Sequence, residues 1–397
     1  MPQGAQIPIA SRAKSTRFAR RLGFFYGAVF MLSGTHLPFF PVWLRAIGLD
    51  ASWIGIIIAV PALTRFTVLP LITASAERRH ALRGAMRLST FATGVGFALL
   101  GLQHWPVPVL MIYAAICCLW TPLVPLTDAY ALRGVLHYGL DYGRLRLWGS
   151  AAFIVGTLLC GELVDLIAPQ QLIWVIVSVG LLGAAASLAL QPLAASPRTA
   201  TSTKDGRNLL RDPGFLCIIL GAALIQGSHA AYYTFSAIDW RAQGFGGLTI
   251  GGLWTLGVLA EIAVFALSSR LKLAPSSLVM IGAGAAVLRW FFTAQEPRAA
   301  GLAAVQISHG FTFGVTLVGT MGLLVRYVPA HMTARGQGYY AAATGIVGSV
   351  ASVLSGPIYA YYGQGVYYLM ALMAAGGGAL IWLMAGRLHP HSAASGG

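Results

Sequence analysis

Several ionisable side chains sit where the surrounding sequence offers them no water. His36, Arg65, Asp128, Glu162, His229, Glu261, Arg289 and His309 each fall inside a long apolar run. Placing an Arg, Lys or Asp at the centre of a bilayer helix costs about 2.5–3.5 kcal/mol, so such a group persists where it is paired, faces water or is used. The chemistry open to this set is ligand binding and proton transfer. Glu261 has Leu259, Ala260, Ile262 and Ala263 as neighbours, a setting in which a carboxyl can take up and release a proton, as a proton carrier must. Arg65 and Arg289 stay charged and need a pairing acid or an anionic ligand; an Arg289–Glu261 ion pair is the purely structural alternative. Glu162 lies nearer the end of its run, close to Asp165, and is expected to be solvated.

Two spacings add binding chemistry. Asp128 closes one apolar run and Arg146 opens the next, eighteen residues later. Adjacent antiparallel helices would join them into a clamp of guanidinium donors and carboxylate acceptors, or leave both among lipid headgroups where they serve topology. Gln226, His229, Tyr232 and Tyr233 stand at i, i+3, i+6 and i+7 and share a helix face; Ser33, His36, Phe39 and Phe40 repeat that spacing, and Gln306 precedes His309 by three. Rings interleaved with amides and imidazoles suit an aromatic or sugar-like solute. Hydrogen bonding between helices is the alternative use. Cys117, Cys118, Cys160 and Cys217 lack partners at metal-ligand spacing and read as packing residues, so neither metal nor cofactor is expected.

The elements that must hold these groups are membrane helices. Of 397 residues 57% are hydrophobic and 9% charged, and twelve stretches are long enough to cross a bilayer core of about 30 Å. They are 22–46, 51–73, 86–103, 106–129, 147–168, 171–192, 213–240, 248–268, 276–293, 299–325, 336–361 and 365–386. With the N-terminus inside, 21 of the 26 Lys and Arg fall in cytoplasmic segments, which predicts a multi-pass protein of the bacterial inner membrane with both termini cytoplasmic. The net charge of +15 is spread over those separate segments, which fits topology and contact with anionic lipid and argues against nucleic acid as a partner. The Arg-rich start leads into a run too long for a cleaved leader and is expected to be a permanent span. No nucleotide-binding loop, His-Glu-x-x-His motif or Gly-x-Ser-x-Gly elbow occurs, so an enzyme or an ATP-driven pump is disfavoured. A sensor would need an appended domain for which the termini leave no room.

The polar, Ser/Thr/Pro-rich stretch 193–212 reads as a cytoplasmic linker between an N-terminal bundle, 1–192, and a C-terminal bundle, 213–397, of six helices each. The halves echo one another. Gly34-Thr35-His36-Leu37-Pro38-Phe39-Phe40 parallels Gly227-Ser228-His229-Ala230-Ala231-Tyr232-Tyr233 at an offset of 193, Ile54-Gly55 parallels Ile250-Gly251 at 196, and Ile154-Val155-Gly156 parallels Ile346-Val347-Gly348 at 192. The expected fold is therefore an all-α membrane protein of twelve transmembrane helices in two pseudo-symmetric six-helix bundles, the major facilitator fold, with substrate held near midplane between the halves.

The strings LTDA (126–129), LDYGRLRLWGSAAF (140–153), QGSHAAYYTFSAIDW (226–240) and LGVLAEIAVFALS (256–268) closely resemble the 3-phenylpropionic acid transporter family of the major facilitator superfamily. More distantly the chain is similar to lactose permease, a proton symporter with a Gly-Arg-x-Arg signature in its fifth span, an acid eighteen positions before the second arginine, and an arginine and a histidine twenty positions apart on helices 9 and 10. Asp128, Arg146, Arg289 and His309 stand at those spacings; Thr312 stands where that relative has a second acid, and the loop Ser75–His80 departs from the superfamily's usual element there. The resemblance implies proton-coupled uptake of a small aromatic carboxylate such as 3-phenylpropionate by a chain acting as a monomer. Arg289 or Arg146 would meet the anion; His36, Gln226, His229, Tyr232, Tyr233 and His309 would bind the solute; Glu261 or Asp128 would carry the proton; Arg65 would pair structurally or with an anion. A carbohydrate:proton symporter is the alternative, and a drug efflux antiporter a third.

Overall fold

The computed structural model describes residues 9–78, 81–193, 209–329 and 332–388 and contains no strand among them. Helix follows the apolar runs because a segment in lipid must satisfy its own backbone N–H and C=O groups. The first pass is α1 (Ile9–Ala46), continuous despite Pro38 and Pro41. The second is α2 (Ala51–Thr67) with α3 (Leu69–Arg78), the third α4 (Leu82–Leu100), and the fourth α5 (Pro106–Trp120) with α6 (Leu123–Tyr138). Then come α7 (Tyr142–Leu166), α8 (Leu172–Leu188), a seventh pass made of α9 (Pro213–Gly227) and α10 (Ala230–Ala242), α11 (Gly247–Leu267) and α12 (Pro275–Thr293). The tenth pass joins α13 (Ala299–Ile307), a π-helical segment Gly310–Val315 and α14 (Thr316–Tyr327); α15 (Thr333–Tyr362) and α16 (Val366–Leu388) complete twelve.

Nine stretches of the described residues are long and apolar enough to span a bilayer, one of which, Arg335–Met384, contains two passes; the other two passes fall outside the nine, α2 being shorter at 17 residues and α4, at 19 residues, carrying Arg83 and Arg87 in its first turns. Several helices overrun their apolar spans: α6 continues past Arg133 to Tyr138, and α7 starts before Arg144 and Arg146. Charge marks where lipid ends, whereas helix ends are set by caps. Asp141 caps α7 by accepting the Arg144 N–H at 3.2 Å, Gly139 ends α6 at φ +64°, and Asp212 caps α9 by accepting from Gly214 and Phe215.

The helices pack as two compact units, residues 1–48, 67–200 and 246–248 in one, and 49–66, 201–245 and 249–397 in the other. Chain order alone groups 49–66 with the first six passes, but α2 packs in the second unit: from α15, Ser352 Oγ donates to Gly55 O at 3.0 Å and Ser349 Oγ to Ala59 O at 3.1 Å. Of the expected linker 193–212, residues 194–208 lie outside the described residues, as do 79 and 80 of the loop after the second pass.

The sequence echoes mark the same helix crossing in each unit. A Cβ at Gly34 of α1 would lie 2.2 Å from Phe153 O on α7, and Thr157 Oγ1 donates to Gly34 O at 3.0 Å. A Cβ at Gly227 of α9 would lie 2.7 Å from Val347 Cγ1 on α15. Each glycine therefore lets the helix carrying the histidine approach the helix carrying Ile-Val-Gly. Gly34→Ala is expected to separate α1 from α7 and lower stability by about 1–3 kcal/mol. Gly84→Ala, with no atom within 4 Å of its added carbon, serves as control and should melt at or above the parent midpoint in detergent.

Candidate functional site

The seventh pass breaks without a proline, and its own side chains explain why. Ser228 Oγ donates to Ile225 O at 2.6 Å, and His229 Nδ1 pairs with Gln226 O at 3.1 Å, so carbonyls that would accept from the next helical turn are taken by side chains. The His229 N–H falls back on Gln226 O, three residues behind. Trp290 Nε1 donates to Ser228 Oγ at 2.9 Å and ties the break to α12. His229 is thus presented at a helix discontinuity rather than on a smooth face.

Around it the second unit assembles a buried cation network. Arg289 is 2% exposed, and its guanidinium donates to His309 Nδ1 at 2.7 Å, Thr312 Oγ1 at 3.1 Å and Gln306 Oε1 at 3.3 Å. The same guanidinium lies 4.8 Å from the Tyr232 ring centre and 4.6 Å from that of Trp290. Tyr232 OH donates to Gln306 Oε1 at 3.0 Å, and His229 Nε2 pairs with Thr312 Oγ1 at 3.0 Å. Donor and acceptor needs assign the protons. Thr312 accepts from Arg289 and donates to His229 Nε2, leaving His229 Nδ1–H for Gln226 O. His309 accepts from Arg289 at Nδ1, which puts its own N–H on Nε2.

That Nε2 stands 3.8 Å from Glu261 Oε2. Glu261 thus faces the imidazole that accepts from Arg289. The close approach comes from Gly310, whose added Cβ would lie 2.8 Å from Ala260 O. Glycine at that point lets α11 pack on the widened π segment and carries Glu261 to His309. A π segment leaves α-helical register and recurs at functional positions. Glu261 is 26% exposed and Tyr233 half-buried, while Arg65 is exposed and within electrostatic range of the Tyr233 and Tyr340 hydroxyls. The network therefore has an enclosed part at Arg289 and an accessible part at Arg65, Tyr233 and Glu261.

The first unit holds the other expected pair. Asp128 Oδ1 lies 3.8 Å from Arg146 Nε, with both side chains about one-third exposed at 30% and 33%, and accepts from Tyr26 OH at 2.6 Å. The Arg146 guanidinium sits 4.1 Å over the Phe30 ring, in space that Gly149 leaves open. His36 joins neither group. It is 3% exposed, its Nε2 pairs with Tyr113 OH at 3.0 Å, and it packs against Phe40, Phe97, Tyr113 and Trp120.

Sequence reasoning missed two contributors to this network and one further buried acid. Thr312 registered as a missing acid, yet its hydroxyl joins Arg289 to His229. Trp254, stacked on Tyr232 at 4.8 Å, carried no signal beyond its apolar character. Asp239 falls within span 213–240 but escaped the ionisable set; it is 7% exposed, accepts from Tyr359 OH through Oδ1, and its Oδ2 has no hydrogen-bond partner.

The MFS_1 like family model matches residues 19–370. The chain is 35% identical over 377 residues to the "Probable 3-phenylpropionic acid transporter" of Escherichia coli (strain K12), covering 91% of this chain and 96% of that protein. It is 26% identical over 349 residues to the maltose permease of Geobacillus stearothermophilus, covering 85% and 86%. The crystal structure of the nucleoside transporter NupG matches the fold with a TM-score of 0.81 at 14% identity, over 92% of this chain and 98% of that one. Thr312→Val is expected to strand the hydrogen bonds of Arg289 and His229 and cost about 1–3 kcal/mol. Thermal unfolding in detergent checks this, with Thr312→Ser expected to restore the parent midpoint.

Proposed function

The chain belongs to the MFS_1 like family, and on that premise we propose that it imports a small aromatic carboxylate of the 3-phenylpropionate kind together with a proton. The observation that carries this reading is the succession Arg289, His309, Glu261: a buried permanent cation linked through one imidazole to a partly accessible acid. With Arg65, the ionised site holds two cations and one anion. A proton on Glu261 alone, or a carboxylate alone, changes the local charge by one unit. Both together leave it unchanged. At an effective dielectric of about 20, a unit charge 4 Å from another is worth roughly 4 kcal/mol, so conformations that carry the site across the membrane are favoured when both are bound or neither is.

In this reading Arg65, being accessible, meets the carboxylate, and Tyr233 supplies an aromatic face for the ring. Arg289 is already engaged by neighbouring side chains and sets the potential felt by His309 and Glu261. The loop distribution of Lys and Arg supports a bacterial inner-membrane protein with both termini cytoplasmic.

A second reading, carbohydrate:proton symport, is favoured by the pairing of Asp128 with Arg146, which suits hydroxyls as well as a carboxylate, and by the maltose permease relative. Uptake of labelled 3-phenylpropionate into proteoliposomes separates the two: aromatic acids should compete and sugars should not. With an inward proton gradient the parent is expected to accumulate label above the outside concentration. Glu261→Gln should abolish that accumulation while retaining exchange of internal for external substrate. Uphill accumulation by Glu261→Gln would remove Glu261 as the proton site.

A further inference from the structure

In the first unit α1 packs extensively against both α7 and α8, whereas α7 and α8 barely touch each other. The two helices diverge over α1 and leave a groove of about 1410 Å³ with α1 as its floor. That exceeds the roughly 300–1,000 Å³ typical of small-molecule pockets. Trp148 lines the groove, and Arg146 stands two positions before it on α7, about 200° away around the helix. The groove therefore lies on the side of α7 opposite the Asp128–Arg146 pair.

Its two ends differ in chemistry. One end carries Arg17, Arg20 and Arg21 from α1 and Arg144 from the start of α7, with Asp141 as the acid among them, four cations against one anion for a net +3. Arg17, Arg20 and Arg21 stand at i, i+3 and i+4 and share a face. Arg144 lies 4.0 Å from Asp141 in a widely exposed pair, a weak arrangement that leaves the guanidinium able to turn to a stronger acceptor. The other end is apolar. Phe24 and Trp148 are 55% and 62% exposed, Leu182 stands on the far wall, and Gly27 and Ala28 keep the floor low.

We propose that this groove is a specific binding site for an anionic phospholipid. The phosphate is held by Arg17, Arg20 and Arg21, and the acyl chains lie along Phe24, Trp148 and Leu182. A guanidinium cluster matches phosphate oxygens in charge and in paired-donor geometry, and basic pockets between membrane helices suit anionic headgroups. A free anion has no apolar part to match the Phe24 and Trp148 end of the groove, and a zwitterionic lipid would bring its own cation into a field of three net positive charges. The site is independent of the solute carried.

The test uses the full-length protein in detergent with phosphatidylglycerol and phosphatidylcholine of identical chains at equal concentration, the retained lipids being counted by native mass spectrometry. The parent is expected to retain phosphatidylglycerol over phosphatidylcholine by at least about fivefold. Arg17→Gln/Arg20→Gln/Arg21→Gln should bring the ratio to within about twofold of unity. Gly27→Leu, which fills the floor and keeps every arginine, should reduce adducts of both lipids. Removing three exposed arginines outside the groove, by Arg270→Gln/Arg326→Gln/Arg335→Gln, should leave the preference intact. Equal retention of the two lipids by the parent overturns the proposal, as does an equal loss of preference in the outside variant. Displacement of the phosphatidylglycerol adduct by excess inorganic phosphate also overturns it, since the cluster would then be a site for the free anion.

Discussion

Arg289 must keep its charge inside the membrane, and much of the second unit is organised around that demand. A guanidinium cannot shed its proton to escape an apolar setting, so its donors must be met where they stand. Among the described residues no carboxylate hydrogen-bonds to it. Gln306, His309 and Thr312 supply neutral acceptors from one pass, while Tyr232 and Trp290 offer ring faces. Even so, Nε has no hydrogen-bond partner. Glu261 stands on the far side of His309, the imidazole that accepts from Arg289.

The backbone bends to the same demand. Three acceptors at 306, 309 and 312 straddle the start of the π segment, whose glycines at 310 and 314 allow Ala260 and Val264 of α11 to press close. On the facing pass, Ser228 and His229 spend their side chains on local carbonyls and interrupt the helix at the point where the imidazole must turn toward Thr312. Irregular backbone at membrane depth is tolerated where protein rather than lipid surrounds it. Ser228 and His229 meet that condition, with side chains essentially inaccessible.

Much of this was legible in the chain because scarcity makes polar residues informative in an apolar sequence. The separations of Arg289 from His309 and of Asp128 from Arg146 announce pairs that the fold brings together, and the Gly-x-His and Ile-Val-Gly echoes turn out to be two sides of one crossing. What stayed hidden depends on register and partner choice. Hydropathy reports that a run is helical but not that its hydrogen bonds slip by one residue at Gly310. Spacing places α2 among the first six passes and cannot reveal that Ser349 and Ser352 bond to its backbone. A threonine opposite an arginine looks like a lost acid until the hydroxyl is seen accepting from one partner and donating to another.

His36 and His229 show how duplication diverges when the surroundings change while the crossing is kept. Both histidines follow a glycine that admits a neighbouring helix, and both are buried. Around His36 the neighbours are Phe40, Phe97, Tyr113 and Trp120, so one nitrogen meets a phenol and Nδ1 goes without a partner. An imidazole so enclosed packs as another ring in an aromatic cluster. Around His229 the neighbours include Thr312 and, one bond further, Arg289, so both nitrogens are engaged and the ring transmits a hydrogen-bond direction set by a cation. The difference lies in what the flanking helices contribute, not in the histidine or its glycine. A shared motif therefore fixes helix packing in both units, while the side chains of passes 9 and 10 join the second histidine to a hydrogen-bonded cation.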